Sequence, residues 1–439
     1  MYQLYNILLF LTLPFVLAYH LYRSVSRGRQ AAFGERFGLV DDGMLAPLRG
    51  RGPIWVHAVS VGETIAAKPL LKGLKQRFPG RPLILSNMTE TGRAIGQGIG
   101  EVDLALHFPF DYPFAVRRLL TRARPALIVI VETEIWPNFV RIAREMGIPV
   151  VIVNGRISDR SFGRYLRLRP FFGAVLAHFS ALCMQSAEDG RRIAAIGADP
   201  ARVFVAGNLK YDIAVTTPSS DERFGILTAY RLPPDSLVVT AGSTHPGEEA
   251  LVIAAFRALL DAGLPVVLAL VPRHPERAEE VAGLLGKAGL PYTRRSRLDA
   301  DSPVLAPGQV LLVDTIGELM RLYAVSDLVF VGGSLVPVGG HNLLEPASLG
   351  VPVVFGPHME NFREISRLVL AGEAGVQVAD GDALGAAMAV LLRDAARCRA
   401  MGERGRRVVE ENGGATERYL AVIEKLLGPG TRDQGPAKP

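Results

Sequence analysis

Cysteine is scarce in this sequence, with only Cys183 and Cys398 among 439 residues. Two cysteines so far apart exclude a disulfide-rich scaffold and give no metal-binding spacing, which fits a reducing compartment. The sequence also lacks a P-loop, and its first predicted strand leads into His57–Glu63 (HAVSVGE) rather than into G-x-G-x-x-G. These absences argue against a P-loop NTPase and a dinucleotide-dependent oxidoreductase. The same stretch lacks the first glycine of the G-x-S-x-G elbow found in many hydrolases.

Charged residues are absent from the first 22 positions, Met1–Tyr22, which are mostly apolar or aromatic. About 20 such residues can cross the hydrocarbon core of a bilayer as a helix. Arg23, Arg27 and Arg29 follow, and the positive-inside tendency then places the body of the protein on the cytoplasmic side. A cleaved signal peptide is the rival interpretation, but the basic n-region and the A-x-A site are missing. Polar residues such as Asn6 leave open whether the segment spans fully or inserts from one side.

Positive charge is concentrated between Tyr112 and Pro170. This stretch has 11 arginines and four acidic residues, an excess of seven in a chain with a formal net charge of +6. Such a field favours an anionic partner, which is nucleic acid, lipid headgroups or a phosphorylated substrate. The predicted anchor favours lipid phosphates, so we expect anionic membrane lipids and no nucleic acid among the partners.

Beyond the anchor, apolar strand-like runs alternate with helical patterns, which predicts βαβ units and parallel sheets. The pattern stops at a proline-containing polar stretch and then restarts. We therefore expect two doubly wound domains with a cleft between them, where ligands bind at the carboxyl ends of the strands. The predicted division is an anchor at 1–22, a first domain at 23–215, a linker at 216–234, a second domain at 235–427 and a disordered tail at 428–439.

The stretch Phe330–Pro357 predicts a buried strand, a glycine-rich turn, a short helix and a second strand. A strand that ends in glycines and opens into a helix offers bare backbone N–H groups, which suit a phosphate. Four glycines would let a ligand approach the main chain closely; they are Gly332, Gly333, Gly339 and Gly340. Glu345 could accept hydrogen bonds from ribose hydroxyls. The alternative is a tight connection that binds nothing.

Charged side chains follow several of the predicted strands. Glu63 is either a charge at a helix terminus or a general base toward a hydroxyl group. Glu132 and Glu134 end a buried strand, where unpaired charge is costly, so they require cations nearby. Lys210 is either a surface charge or faces an anion. Arg273 matches a nucleotide phosphate, because its planar guanidinium fits oxyanions.

Eight motifs in order along the chain resemble the 3-deoxy-D-manno-octulosonic acid (Kdo) transferases of lipopolysaccharide synthesis, over roughly residues 1 to 425. The motifs are GERFG (Gly34–Gly38), HAVSVGE (His57–Glu63), VETEIWPN (Val131–Asn138), GNLKYD (Gly207–Asp212), AGSTHPGEE (Ala241–Glu249), LVPRHPER (Leu270–Arg277), DTIGEL (Asp314–Leu319) and GGHNLLEP (Gly339–Pro346). The resemblance implies a GT-B fold: two Rossmann-like domains, a cleft, and here an N-terminal membrane-anchor helix.

The resemblance also implies the reaction. Family members move Kdo from CMP-Kdo to lipid IVA, one or more units, at the cytoplasmic face of the inner membrane, with inversion of the anomeric centre. It assigns the general base to Glu63 and transition-state stabilisation to Glu132 and Lys210. It assigns the CMP contacts to Pro272, Arg273, Ile316, Gly317, Glu318, Asn342, Leu343, Leu344 and Glu345. Further donor contacts are expected at Ser243, Thr244 and Gly340.

A metal cofactor is not expected for the transfer step. The leaving group is a nucleoside monophosphate, which carries less charge than a nucleoside diphosphate. Two D-x-D triplets occur, Asp299–Asp301 and Asp380–Asp382, and neither follows a clear strand. Two alternatives differ in class: another membrane-associated GT-B nucleotide-sugar transferase, and a non-catalytic, membrane-tethered nucleotide-binding protein. The latter would keep Arg273 and Glu345 but would not need Glu63.

Overall fold

The computed structural model describes residues 1–27, 32–212 and 217–428. It divides into two compact units, Met1–Asp212 with Gly413–Pro439, and Ile213–Asn412. Each unit is built on a parallel sheet with helices, as the alternating pattern predicts. Arg29 and residues 429–439 of the predicted tail lie outside the described part of the chain.

The described part of the first unit contains a seven-stranded parallel sheet in the order β3-β2-β1-β4-β5-β6-β7. Its strands are β1 (Ile54–His57), β2 (Leu83–Asn87), β3 (Leu104–His107), β4 (Leu127–Val131), β5 (Val150–Gly155), β6 (Ala181–Met184) and β7 (Val203–Val205). Strands β1, β2, β4 and β5 are buried along their whole length, because helices cover both faces of the sheet.

The helices of this unit include one that is long and apolar enough to cross a membrane, α1, by length and composition. They are α1 (Tyr2–Arg27), α2 (Phe33–Arg36), α3 (Asp42–Leu45), α4 (Val61–Ala66), α5 (Lys68–Arg77), α6 (Glu90–Gln97), α7 (Pro113–Ala123), α8 (Pro137–Glu145), α9 (Asp159–Arg167), α10 (Arg169–Leu176) and α11 (Ala187–Ile196). The helical segment after β1 is divided at Ala67, because Pro69 starts a new helix more readily than it continues one.

The described part of the second unit also contains a seven-stranded parallel sheet, in the order β10-β11-β9-β8-β12-β13-β14. Its strands are β8 (Leu237–Thr244), β9 (Val266–Pro272), β10 (Tyr292–Arg294), β11 (Val310–Leu312), β12 (Leu328–Val331), β13 (Val353–Phe355) and β14 (Gly375–Gln377). Its helices are α12 (Ser220–Ala229), α13 (Glu249–Asp261), α14 (Ala278–Lys287), α15 (Leu319–Tyr323), α16 (Leu344–Ser348), α17 (Arg363–Ala371), α18 (Gly381–Arg393) and α19 (Ala395–Asn412).

The linker predicted at 216–234 is wrong over its described residues, because they fold as part of the second unit. Helix α12 begins at a capping box in which Ser219 and Glu222 exchange hydrogen bonds. Leu227, Tyr230 and Leu232 are buried in one of the hydrophobic clusters of the second unit. The polar composition belongs to the exposed side of this helix, so it gave a misleading signal for a linker.

The second domain predicted at 235–427 is wrong at its end. The last helix, α20 (Ala415–Leu427), returns to the first unit. Tyr419, Leu420 and Ile423 are buried there in the hydrophobic cluster that also contains residues of α5. The carboxylate of Asp212 accepts hydrogen bonds from the N–H groups of Ala415 and Thr416, which satisfies the start of the helix.

Candidate active site

Two sequence-predicted acids flank the point at which the strand order of the first sheet reverses. Strands β1 and β4 are neighbours, although β2 and β3 lie between them in the chain. In doubly wound sheets, ligands bind beyond the carboxyl ends of the strands at such a point. Glu63 lies in the first turn of α4 after β1, and Glu132 directly follows β4. The fold therefore gives both residues the position that an active site requires.

The carboxylate of Glu63 is held by its own loop. One oxygen accepts a hydrogen bond from the N–H of Val59 at 2.7 Å, and the other accepts one from the hydroxyl of Ser60 at 2.9 Å. Ser60 is also the N-cap of α4 and accepts the N–H of Glu63. Burial raises the pKa of Glu63, the nearby charge of Glu132 raises it further, and these hydrogen bonds oppose the rise. Glu63 is thus a fixed carboxylate with increased proton affinity.

Glu132 and Glu134 complete a cluster of three half-buried acids with Glu63. Burial raises the pKa of Glu134 to about 7, and the charges of Glu63 and Glu132 add to this shift. Burial also raises the pKa of Glu132, while Lys210 and Arg156 lower it. Glu132 has a left-handed backbone, φ 63°, which is strained for a residue with a side chain. Strain and crowded like charges are typical of functional sites.

Lys210 lies in a short 3-10 helix, Leu209–Tyr211, after β7. The buried side chain of Asn154 accepts the N–H of Leu209 at 3.0 Å, and Asn208 accepts the N–H of Lys210 at 3.0 Å. Asn154 itself has a left-handed backbone, φ 56°. Asn154 is not among the residues predicted from the sequence, and the signal for it is an asparagine that precedes Gly155 at the end of a strand.

The first unit therefore brings the three predicted catalytic residues together: Glu63, Glu132 and Lys210. The charge of Lys210 lowers the pKa of Glu132, and the charge of Glu132 raises the pKa of Glu63. A carboxylate with increased proton affinity can take a proton from a hydroxyl group, and a nearby ammonium can offset negative charge that develops on a substrate. Glu134, which the sequence identifies only as one of a pair of acids, also belongs to this cluster, and its raised pKa of about 7 lies near neutrality.

The glycine-rich turn of the second unit does not offer the bare N–H groups that the sequence predicts. The N–H groups of Gly333, Ser334 and Leu335 donate to the carboxylate of Glu248 at 2.7, 3.1 and 2.9 Å. Glu248 is fully buried and also accepts the N–H of His245 at 3.2 Å. An internal carboxylate thus occupies the place expected for a phosphate.

The glycines of this turn serve close packing within the chain. A Cβ at Gly332 would lie 2.5 Å from the carbonyl oxygen of Ser243, and one at Gly340 would meet the sulfur of Met359. Ser243 has a left-handed backbone, φ 59°, and Thr244 is fully buried at the end of β8. The protein's own atoms therefore fill the space on the Cβ side of Gly332 and Gly340, and contact between these glycines and a ligand stays a prediction.

Arg273, Asn342 and Glu345 do lie together. The amide of Asn342 donates to Glu345 at 3.3 Å, and the charge of Arg273 lowers the pKa of Glu345, although burial raises it more. Arg273 is exposed and follows β9, where Pro272 is buried and pairs with Thr244. The side chains of Leu343 and Leu344 are fully buried, so any contact they make with a ligand uses the backbone.

Two histidines that the sequence analysis did not assign lie at the reversal point of the second sheet, between β8 and β12. The Nε2 atoms of His245 and His341 are 2.8 Å apart, and the two rings are stacked. Burial lowers the pKa of His341 to about 4, and the charges of His245, Arg273 and His274 lower it further. Burial also lowers the pKa of His245, so both rings favour the neutral form near pH 7, and the nearby positive charges include Arg273 and Arg277.

The remaining predicted contacts lie before α15. Ile316 is 88% exposed, which is unusual for a large aliphatic side chain. Gly317 has a φ of 87°, which favours glycine. The carboxylate of Glu318 accepts hydrogen bonds from Thr315 at 3.2 Å and from Tyr230, and it lies 3.4 Å from Arg295. An exposed aliphatic surface beside a fixed carboxylate suits a nucleobase and a hydroxyl group.

The D-x-D triplets have local structural roles. Asp380 caps the start of α18, and Asp299 accepts hydrogen bonds within its own loop. Within residues 1–27, 32–212 and 217–428, three or more histidine, cysteine or acidic side chains do not come together in a way that could hold a metal ion. Independence from metal remains a prediction for the reaction.

Comparison with known proteins connects this site to a family. A family model described as 3-deoxy-D-manno-octulosonic-acid transferase matches residues 31–213. A 3-deoxy-D-manno-octulosonic acid transferase of Haemophilus influenzae is 34% identical over 96% of this chain and 98% of its own length. One of Bordetella pertussis is 38% identical over 90% of this chain and 91% of its own length.

A solved structure gives the fold independently. MurG of Acinetobacter baumannii superposes with a TM-score of 0.53 at 13% identity, over 85% of this chain and 99% of that chain. At this identity the likeness concerns the fold alone. Together with the two seven-stranded parallel sheets, it shows that the fold is GT-B.

Proposed function

The chain belongs to the family of 3-deoxy-D-manno-octulosonic acid transferases, and on this premise we propose that it transfers Kdo from CMP-Kdo to the primary hydroxyl of lipid IVA. The observation that carries the proposal is the cluster of Glu63, Glu132 and Glu134 with Lys210 at the reversal point of the first sheet. A protein that only binds nucleotides would gain nothing from this cluster. Partial burial of three acids is unfavourable for folding, and a catalytic role explains why they are present.

In the proposed reaction, Glu63 is the general base. Its carboxylate takes the proton of the acceptor hydroxyl while that oxygen attacks the anomeric carbon, C2, of Kdo. The bond from C2 to the phosphate oxygen breaks, and CMP leaves with the electron pair. A single displacement inverts the anomeric centre. The increased proton affinity of Glu63 suits this task, because a general base is most effective when its pKa approaches the working pH.

Lys210 and Glu132 act as a coupled pair in this proposal. The ammonium of Lys210 offsets negative charge on the Kdo carboxylate or the departing phosphate. Glu132 stabilises the ammonium, as the effect of Lys210 on the pKa of Glu132 requires. The bond from Asn154 to the N–H of Leu209 fixes the segment that carries Lys210.

The donor binds to the second unit in this proposal. Arg273 holds the phosphate, Asn342 and Glu345 hold the ribose, and the exposed surface of Ile316 with the carboxylate of Glu318 holds the base. The cluster of Glu345, Asn342 and Arg273 supports this arrangement. We further propose that transfer uses no metal ion, because a guanidinium and an ammonium offset the modest charge of a nucleoside monophosphate.

The acceptor is a phosphorylated lipid, so we propose that the protein works at the cytoplasmic face of the inner membrane. The apolar helix α1 and the arginines between Tyr112 and Pro170 support a site beside anionic lipids. Arg117, Arg118, Arg160, Arg164 and Arg167 are all exposed and are candidates for contact with the acceptor phosphates.

The decisive experiment is a transfer assay with detergent-solubilised protein, freshly generated CMP-Kdo and lipid IVA, read by mass spectrometry. We expect the mass of lipid IVA to rise by one or more Kdo units, and the spectrum counts them. CMP-Kdo is made in a separate reaction, because its synthesis depends on a metal ion. EDTA is then added only to the transfer reaction, where we expect unchanged transfer. Absence of product from folded protein would reject the Kdo assignment, and other nucleotide sugars would then be screened.

A further inference from the structure

One side of α1 is packed against the first unit. Its partly buried residues recur at helical spacing and are Tyr2, Tyr5, Asn6, Leu9, Leu13, Val16 and Leu17. Three or four residues separate successive members of such a stripe, which is the period of one helix face. Leu9, Leu13 and Val16 pack on a cluster that contains Phe110 and Tyr112. The helix therefore has one side packed on the protein and one side exposed, although it has no charged residue before Arg23.

Hydrogen bonds fix the first half of α1 to this surface. The hydroxyl of Tyr5 donates to Asp111 at 2.8 Å, and the amide of Asn138 donates to Asn6 at 2.6 Å. The hydroxyl of Tyr112 donates to the carbonyl of Leu9 at 3.0 Å. Asp111 is buried and also accepts the N–H groups at the start of α8. These hydrogen bonds therefore connect the first half of α1 to the core of the unit.

This packing is incompatible with a helix that crosses a bilayer. A spanning α1 would carry Asp111 and Asn138, which belong to the globular unit, into the hydrocarbon, where polar groups are costly. The part of α1 beyond the packed stripe, from Ala18 to Arg27, has ten residues and a length of roughly 15 Å. The hydrocarbon core is about 30 Å thick, so this part alone is too short.

The opposite side of α1 is apolar and exposed. Leu4, Leu8, Leu11 and Phe15 are 62%, 53%, 65% and 75% exposed. They lie on one line of the helix, because their spacing is three or four residues. Such a continuous apolar surface on a folded protein marks an interaction site.

The segment that leads into α10 lies beside α1 and carries both arginines and an exposed leucine. Phe171 at the start of α10 contacts the rings of Tyr2 and Tyr5, and so lies beside α1. The residues just before it include the exposed Arg167 and Arg169 on either side of Leu168, which is 56% exposed. Arginine beside an exposed aliphatic side chain suits the headgroup region of an anionic bilayer.

We propose that α1 lies in the plane of an anionic bilayer surface and remains docked on the first unit, so that the protein is monotopic. Leu4, Leu8, Leu11 and Phe15 enter the outer part of the hydrocarbon, and Arg167 and Arg169 contact the headgroups. This goes beyond the proposed reaction, because it specifies how the membrane is bound. It also gives the catalytic unit a fixed orientation to the surface that holds a lipid substrate.

Depth measurements on the full chain test the proposal. Both native cysteines are buried, so cysteines introduced singly at Leu4, Leu8, Leu11 and Phe15 can be labelled selectively with a fluorophore. Vesicles of phosphatidylethanolamine and phosphatidylglycerol carry quenchers at two depths. The proposal expects one shallow depth for all four labels. A spanning helix would instead give a gradient of roughly 16 Å from position 4 to position 15, which would overturn it.

The charge of the vesicle tests the second half of the proposal. We expect the double variant R167Q/R169Q to bind anionic vesicles roughly fivefold to thirtyfold more weakly, at about fivefold for each lost arginine. Binding to phosphatidylcholine vesicles should change little. Equal losses on both vesicle types, or no binding by the parent protein, would contradict a membrane partner. Dimerisation that buries the four labels without vesicles would assign the apolar face to a second copy. None of these readouts uses sugar transfer, so they stand apart from the proposed reaction.

Discussion

Buried carboxylates lie at the reversal point of both sheets, but their surroundings differ. In the second unit, Glu248 accepts four backbone N–H groups, from His245, Gly333, Ser334 and Leu335. In the first unit, the neighbours that raise the pKa of Glu134 include two other carboxylates, and Glu63 is held by a single N–H and a hydroxyl. The same residue type therefore stabilises a turn in one unit and stays available for chemistry in the other.

The difference teaches how to tell a structural acid from a reactive one. Burial raises the pKa of Glu248, hydrogen bonds from four N–H groups oppose this rise, and the same bonds occupy the lone pairs that a substrate would need. A carboxylate beside like charges, with fewer donors, has an increased affinity for protons. The following variants are ordered from the largest expected effect to the smallest, and each tests one side of this comparison.

Replacement of Glu63 by glutamine should reduce kcat by roughly 10²–10⁴-fold, because the amide cannot accept the proton of the acceptor hydroxyl. The amide oxygen can still accept one of the two local hydrogen bonds, so we expect thermal stability to change little. Transfer of Kdo and thermal unfolding should be measured on the same preparation, with CMP binding as the control for folding of the second unit. Turnover near that of the parent would remove Glu63 as the base.

Replacement of Glu248 by alanine should destabilise the protein by about 3–5 kcal/mol, since it leaves buried N–H groups without acceptors. Glu248→Gln keeps one acceptor oxygen and should cost less. Urea unfolding of the two variants measures the difference. If Glu248→Ala unfolds like the parent protein but loses transfer, the carboxylate has a role in catalysis, and the contrast between the units fails.

Replacement of Glu134 by glutamine should change the pH dependence of stability. The folded state raises the pKa of Glu134 from 4.5 to about 7, so it binds a proton that the unfolded chain has released. The unfolded state thus binds fewer protons between these values, and stability falls as pH rises toward 7 and then levels off. Glu134→Gln should therefore exceed the parent by about 1–3 kcal/mol at pH 8, and the gap should narrow toward pH 5. Parallel urea-unfolding curves at the two pH values would contradict the shift.

Replacement of Glu132 by glycine should stabilise the protein by about 1 kcal/mol, because glycine adopts a φ of 63° without strain. Transfer should be lost at the same time, which separates stability from activity. Glu132→Ala is the matched control, since it also removes the carboxylate but keeps the strained backbone. A glycine variant less stable than the alanine variant would show that the backbone at this position is not strained.

Local sequence signals predicted where two acids of the first unit lie. Glu63 and Glu132 each follow a short, fully apolar strand, and parallel strands bring their carboxyl ends to one edge of the sheet. The sequence could not show which acid accepts hydrogen bonds from which backbone N–H groups. Glu248 and the turn at Gly333 are 85 residues apart, so their pairing depends on the order of strands in the sheet.

Long-range packing accounts for the other differences. Nothing local distinguishes α20 from another helix of the second unit, and its apolar residues fit the first unit only after α5 is in place. Likewise, an uncharged apolar run predicts a membrane helix equally well whether one side is free or docked. The hydroxyl of Tyr5, for example, donates to Asp111, which is 106 residues away in the sequence. Such contacts become visible only when the tertiary structure is known.

The return of α20 has a consequence for biosynthesis. The second unit is inserted into the first, because residues on both sides of it complete one core. A ribosome synthesises the entire second unit before it has made Tyr419, Leu420 and Ile423. The N-terminal unit, although its synthesis begins first, can therefore complete its core only after the second unit has been synthesised, and until then the apolar surface of α5 that α20 covers is open to chaperones.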